Sequence, residues 1–305
     1  MPHHHLSNRP GHSTRNSHRA PESKVSLAGK PGLTGTRDGR IITVTEAQQQ
    51  ILKKANKAIE DTWKALDKGS ANQLHDVIYT HGEVVKRTVA VQSSPYSVDT
   101  QAWKAARFRA GNCGEMAAVN ALMLASSGIS EPVAVCHAID ADHGFVMVGD
   151  RRINGERIYS DAWPLFGRAD KEQNYDLSKH YRIVKEYAPQ AADPQIREAL
   201  IHGDKASHSE VDSLYRTEMR RRGVPIAKED LHSLKHIARR HGGETYQQLQ
   251  ASRNINMYYQ TESGGSDTGL KPEMKRTVYE SRSRRQETAT RDEIRSLLRN
   301  INRGV

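Results

Sequence analysis

The chain has 305 residues, room for one large domain or two small ones, but only 36% are apolar and three are Phe, so the core is confined to one limited region. Two cysteines, Cys113 and Cys136, are too few for a disulfide framework, although one bridge between them stays open, and no apolar run reaches the length of a spanning helix. The net charge of +10 gathers partly at the ends, with seven Lys/Arg against two acids in residues 1–40 and ten against five in residues 271–305, a bias that suits acidic partners or solvated tails.

Residues 1–42 read as a disordered lead: Pro10, Pro21, Gly29, Pro31 and Gly32 break every period, and apolar residues are too scarce to offset chain entropy. His3-His4-His5 reads as part of this polar lead rather than as a metal site. The lead has no signal-peptide apolar segment, and residue 2 is Pro rather than the Gly of a myristoylation signal. A helix is predicted from about Thr45 to Lys68, where Ile51, Leu52, Ala55, Ile59, Trp63 and Leu66 form one apolar stripe. A second is predicted over Asn72 to Val91, weakened in its later part by Gly82 and β-branched residues. Residues 101–110 read as a short segment pinning Trp103 and Phe108 into the core, with Lys104, Arg107 and Arg109 between them.

Glu115 to Ser126 reads as a buried helix of small residues, and Pro132–Ile139, His143–Val148 and Arg157–Asp161 as three strands joined by turn-rich connectors. That order predicts an α+β fold, with helices packed on a small antiparallel sheet and an added α-helical C-terminal region. Residues 165–190 are mixed and polar. Helices are predicted at Pro194–His202, Ser209–Arg222, Lys228–His241 and Glu244–Ala251, then a flexible link at Ser263-Gly264-Gly265-Ser266 and a basic helical segment over 271–301. The resulting division is a lead (1–42), a catalytic α+β domain (43–190), a helical region (191–262), and a linker with a basic helical tail (263–305).

The chemistry concentrates between Arg107 and Pro164. Cys113, in Gly111-Asn112-Cys113-Gly114-Glu115, opens a helix, where the dipole and unpaired backbone N–H groups favour a thiolate and suit a tetrahedral oxyanion. Asn112 adds a side-chain donor for the oxyanion. His143 opens a strand as the general base, and Asp161 ends the next strand as the carboxylate that fixes the imidazole tautomer. His137 is a rival base, Asp140 and Asp142 are rival orienting acids, and a zinc site from Cys113, Cys136, His137 and His143 matches no paired-ligand spacing. No metal or cofactor is expected.

Gly-Asn-Cys-Gly-Glu before a small-residue helix, then His-Gly-Phe-Val-Met-Val, then Ser-Asp-Ala-Trp-Pro, resembles the papain-like and transglutaminase-like Cys-His-Asp superfamily, above all its compact forms in bacterial type III effectors and toxins. The resemblance covers residues 107–164. It implies a papain/transglutaminase-like core and a thiol protease, glutamine deamidase or transglutaminase, with Cys113 as nucleophile, His143 as base and Asp161 as orienting carboxylate. Papain-type proteases also place an oxyanion-hole Gln shortly before the cysteine; the nearest upstream here is Gln101, farther away than that pattern has it. The resemblance further implies a protein substrate in a host cell, export without a cleaved signal, and action in host cytoplasm; otherwise the chain is cytoplasmic. The alternative is a basic helical protein binding nucleic acid or an acidic partner through 206–252 and 271–303, although no standard nucleic-acid motif is present and stacking aromatics are sparse. Peripheral contact with anionic lipid through Arg282, Arg284 and Arg285 is a third option, weighed against a solvated helix face.

Overall fold

The computed structural model describes residues 23–25, 39–223, 257–264 and 266–267, apart from 74–75, 78–79, 81, 94–96, 140–141, 154, 165–166 and 176–179. It is a mixed α+β structure. Helix α1 (Glu46–Ala65) starts at Thr45, whose hydroxyl accepts the Gln48 N–H while the Gln48 side chain takes the Thr45 N–H. Its apolar stripe is buried through Leu52, Ala55, Ala58 and Ile59. Helix α2 spans Glu83–Val91, α3 spans Val98–Phe108 and α4 spans Cys113–Ala125.

The main sheet follows: β3 (Val133–Ala138), β4 (His143–Val148), β5 (Ile158–Asp161), β6 (Arg168–Lys171) and β7 (Tyr181–Tyr187). All its pairings are antiparallel, in spatial order β6-β5-β4-β3-β7. Helix α4 lies on this sheet with α1 and α3 beside it. Every residue from Glu115 to Ala125 is buried. A helix apolar all round has to sit inside the core, and Ala117, Ala118, Ala121 and Ala125 let its neighbours approach closely.

Helices α5 (Pro194–His202) and α6 (His208–Arg221) form where the charged C-terminal half predicts them. They do not stand apart: Leu200, Ile201 and Val211 join the core cluster of α1 and α4. Arg197 bonds Asp61 of α1 at 2.7 Å and Lys86 of α2 bonds Asp212 at 2.7 Å.

Other expectations are corrected. The helix expected over Asn72 to Val91 is interrupted: Asp76 and Val77 are helical, Gly82 sits at φ 82° and breaks the helical backbone, and α2 runs from Glu83. Trp103 is 40% exposed while Phe108 is buried, because α3 turns the indole away from the face that Ala102, Ala105 and Ala106 bury. Residues 165–190 contain β6 and β7, paired to β5 and β3.

The described parts of the lead fall in strands, and so do residues 257–261 at the far end of the expected helical region. β1 (Ser23–Val25), β2 (Gly39–Val44), β8 (Met257–Thr261) and β9 (Ser266–Asp267) form a second sheet in that order, with β2 and β8 parallel. β8 and β9 pair antiparallel, so the expected flexible link falls between two paired strands. This pairing joins segments more than two hundred residues apart in sequence, beyond the reach of local cues. The helices expected at Lys228–His241 and Glu244–Ala251, and the basic tail over 271–301, lie outside the described residues. No described helix is long and apolar enough to cross a membrane.

Candidate active site

Cys113 is the first residue of α4 and is half-buried, with a free thiol. Asn112 caps the helix, and its backbone N–H donates to the Glu115 carboxylate at 2.7 Å. Met116 is the first residue to close a helical bond, to the Asn112 carbonyl. The amides of Cys113 and Gly114 precede it and point out of the helix start. The nucleophile candidate thus shares its position with outward-facing N–H donors.

Glycine decides how close the sheet comes. A Cβ on Gly144 would lie 2.9 Å from the Gly114 Cα and 3.2 Å from the Cys113 carbonyl oxygen. Strand β4 is therefore pressed backbone to backbone on the start of α4, and this contact carries His143, one residue earlier, to Cys113. The Asp142 backbone is left-handed, at φ 44°, where the connection from β3 turns into β4. Its carbonyl lies 4.0 Å from the Cys113 sulfur.

The β4–β5 register pairs Val146 with Ser160. One further step sets Asp161 across from Phe145, diagonal to His143 and on its face, within reach of a long side chain. There His143 Nε2 donates to Asp161 Oδ2 at 2.7 Å, and both side chains are 1% exposed. The Cys113 thiol is close enough to the same ring to interact with it electrostatically; with Nε2 engaged, Nδ1 is the nitrogen left for sulfur. Burial opposes a charged ring, but the Asp161 carboxylate, by its charge and its hydrogen bond, and then the Cys113 thiol raise the His143 pKa to about 10. Cys136 differs: burial in β3 pushes its thiol up to about 12, and it is not bridged to Cys113.

Asp161 is held from several sides. Oδ2 also accepts the Tyr175 hydroxyl at 2.7 Å, and Oδ1 accepts the Trp163 backbone N–H at 2.9 Å. The Trp163 indole lies against the His143 ring, centroids 5.0 Å apart, and donates to Asn72 Oδ1 at 3.3 Å. The Ser70 hydroxyl donates to that same oxygen at 2.5 Å and lies 3.2 Å from Asn112 Oδ1. The Asn112 side-chain oxygen is thus engaged by the Ser70 turn.

Across the helix start, Glu115 is buried and accepts the Gln92 and Gln101 amides, each at 3.1 Å. Gln101 Nε2 lies 3.6 Å from where a Cβ on Gly114 would stand, so α3 folds this distant residue back beside the cysteine. His137 faces the exposed Asp142 carboxylate at 3.5 Å and not the Asp161 pair. Among the described residues no group of three or more His, Cys, Asp or Glu is placed to hold a metal ion.

The structure therefore brings Cys113, His143 and Asp161 together, with Asn112 at the same helix start. Sequence reasoning missed Tyr175, Ser70, Asn72, Gln92 and the buried acceptor role of Glu115. Trp163 carried a signal in its place beside Asp161, whereas Tyr175 lies in a stretch that reads only as polar. Comparison with protein-family models, curated proteins and solved structures finds no match to this chain.

Proposed function

We propose that this chain is a cysteine-dependent acyl-transfer enzyme acting on a protein substrate, with a papain-like or transglutaminase-like core. The observation that carries the reading is the buried 2.7 Å bond from His143 to Asp161, with the Cys113 thiol on the same ring at a helix start. A histidine paired this way can take the thiol proton and remain charged beside the thiolate.

The sulfur attacks a backbone or glutamine side-chain carbonyl, forming the C–S bond, and the oxyanion meets the Cys113 and Gly114 amides. Gln101, whose amide carries a second N–H, is a further donor at that point. As the C–N bond breaks, the imidazolium gives its proton to the departing amine or ammonia. Water or an amine then resolves the thioester, its proton passing to His143 and on to the sulfur as the thiol is regenerated. Cleavage, deamidation and cross-linking share the first half and differ in the leaving group and the acceptor. The resemblance to bacterial effectors extends the proposal to a host protein as substrate, reached by export without a cleaved signal.

The test is intact-mass and peptide mapping of host-cell proteins after incubation with wild-type and Cys113→Ala chains. A Gln-to-Glu mass change, a new terminus or a cross-link made by the wild type alone supports the reading. Modification that persists in Cys113→Ala overturns it.

A further inference from the structure

We infer that Tyr175 is a positioning residue of this site: its hydroxyl shares Asp161 Oδ2 with His143 and thereby sets how strongly the carboxylate holds the imidazolium. The inference rests on the acyl-transfer reading and deepens it. The Tyr175 hydroxyl is 2.7 Å from the oxygen that accepts His143 Nε2, also at 2.7 Å, while the Trp163 N–H occupies Oδ1 at 2.9 Å. Three donors converge on one buried carboxylate, so Asp161 accepts throughout and none of the three bonds requires it to carry a proton.

The ring of Tyr175 is fixed as firmly as its hydroxyl. It stacks on Tyr159 with centroids 5.0 Å apart and planes 11° apart, and Phe145 lies 5.1 Å away. A phenol locked in that stack cannot swing off the carboxylate. A hydrogen bond donated to a carboxylate spreads its negative charge, leaving less for the imidazolium beside it. The charged and titratable groups facing the pair are Cys113 from α4, His143 from β4 and Asp161 from β5, with Cys136 of β3 and Asp170 of β6 farther off. Of these, Asp161 accepts the Tyr175 hydroxyl.

Removing the hydroxyl concentrates the Asp161 charge on His143. The imidazolium is then held more tightly, and the Cys113 thiolate beside it forms at lower pH. Tyr159 provides the control: it belongs to the same aromatic stack, and its hydroxyl interacts with Tyr181 and Arg157 rather than Asp161.

The experiment is the rate of iodoacetamide alkylation against pH, with the modified peptide identified as that of Cys113, for full-length wild type, Tyr175→Phe, Tyr159→Phe and His143→Gln. Tyr175→Phe is expected to move the midpoint of thiolate formation down by about half a pH unit, roughly threefold in proton affinity, and Tyr159→Phe to leave it in place. An unshifted midpoint in Tyr175→Phe, or an equal shift in Tyr159→Phe, overturns the inference while leaving the triad intact. A wild-type profile identical to that of His143→Gln overturns the acyl-transfer reading and this inference with it. Should Tyr175→Phe fail to fold, wild type made with 3-fluorotyrosine carries a stronger phenol donor at the same place. Its midpoint is then expected to move upward, and no movement overturns the inference.

Discussion

Two buried aspartate–tyrosine pairs sit on adjacent strands of the main sheet and do different things. In one, Tyr175 donates to Asp161 at 2.7 Å; in the other, Tyr259 donates to Asp170 at 2.7 Å. Both carboxylates are 1% exposed, and the strands that carry them are paired, Asp161 with Arg168 and Tyr159 with Asp170. The pairs differ in what lies next to them. Asp161 also holds an imidazole that touches a thiol. The Tyr259 hydroxyl takes the Lys171 N–H at 3.1 Å, and its ring lies 5.1 Å from the Arg168 guanidinium. Tyr259 stands on β8, so the second pair joins the small sheet to the edge of the large one. A phenol–carboxylate bond is a general way to satisfy a buried acid. It bears on chemistry only where a third, titratable group shares the acid and reaches a nucleophile.

The hardest test of that difference is the proposed nucleophile itself. Cys113→Ala is expected to remove all turnover on the protein substrate while retaining the wild-type melting curve, since the residue is half-buried and a small side chain replaces it. Next come the two acids. Asp161→Asn is expected to lower the rate on the order of 10²–10⁴-fold, the usual share of positioned acid–base catalysis. Asp170→Asn is expected to leave the rate within about twofold and to cost about 1–3 kcal/mol of stability, the penalty for disturbing a buried hydrogen bond. Equal rate losses in the two variants would erase the distinction between the pairs.

Gly144→Ala acts on geometry instead. Its new Cβ would stand 2.9 Å from the Gly114 backbone, so β4 must back away from the helix start. A rate loss of about ten- to a hundredfold is expected from the displaced base, read alongside a lowered Tm.

The smallest effect is on stability against pH. The folded His143 ring keeps its proton up to about 10, whereas the unfolded ring loses it near 6.5. Its stabilisation is complete below about 6.5 and disappears as the pH rises through about 10. Melting temperatures across this window should fall in the wild type and fall less in His143→Gln. Asp170→Asn should keep the wild-type slope, because its pair lacks the ring.

Much of this was legible from local pattern. The α1 stripe, the small-residue helix after Cys113 and the short strands His143–Val148 and Ile158–Asp161 between turn-rich connectors mark elements that bury one face or all of it. Cys113, His143 and Asp161 were readable because each ends or begins such an element. Other features left no local trace. β6 reads Arg-Ala-Asp-Lys, yet its first three residues are buried, which no hydropathy pattern announces. Tyr175 is a polar-looking residue whose importance lies wholly in its distance from Asp161. Gln101 is too far from Cys113 in sequence to suggest that α3 returns it to the helix start.

Helix α1, the helix start that carries the sulfur and the strands that carry the ring and the acid follow from periodicity, glycine placement and turn chemistry, which act over a few residues. The tertiary structure decided the rest: the β4–β5 register that sets His143 diagonal to Asp161, the Gly114–Gly144 contact that brings strand to helix, and the pairing of β2 with β8, more than two hundred residues apart, in one small sheet. Those features depend on which distant surfaces exclude water from each other. That free energy belongs to the packed chain as a whole, and no short window of sequence contains it.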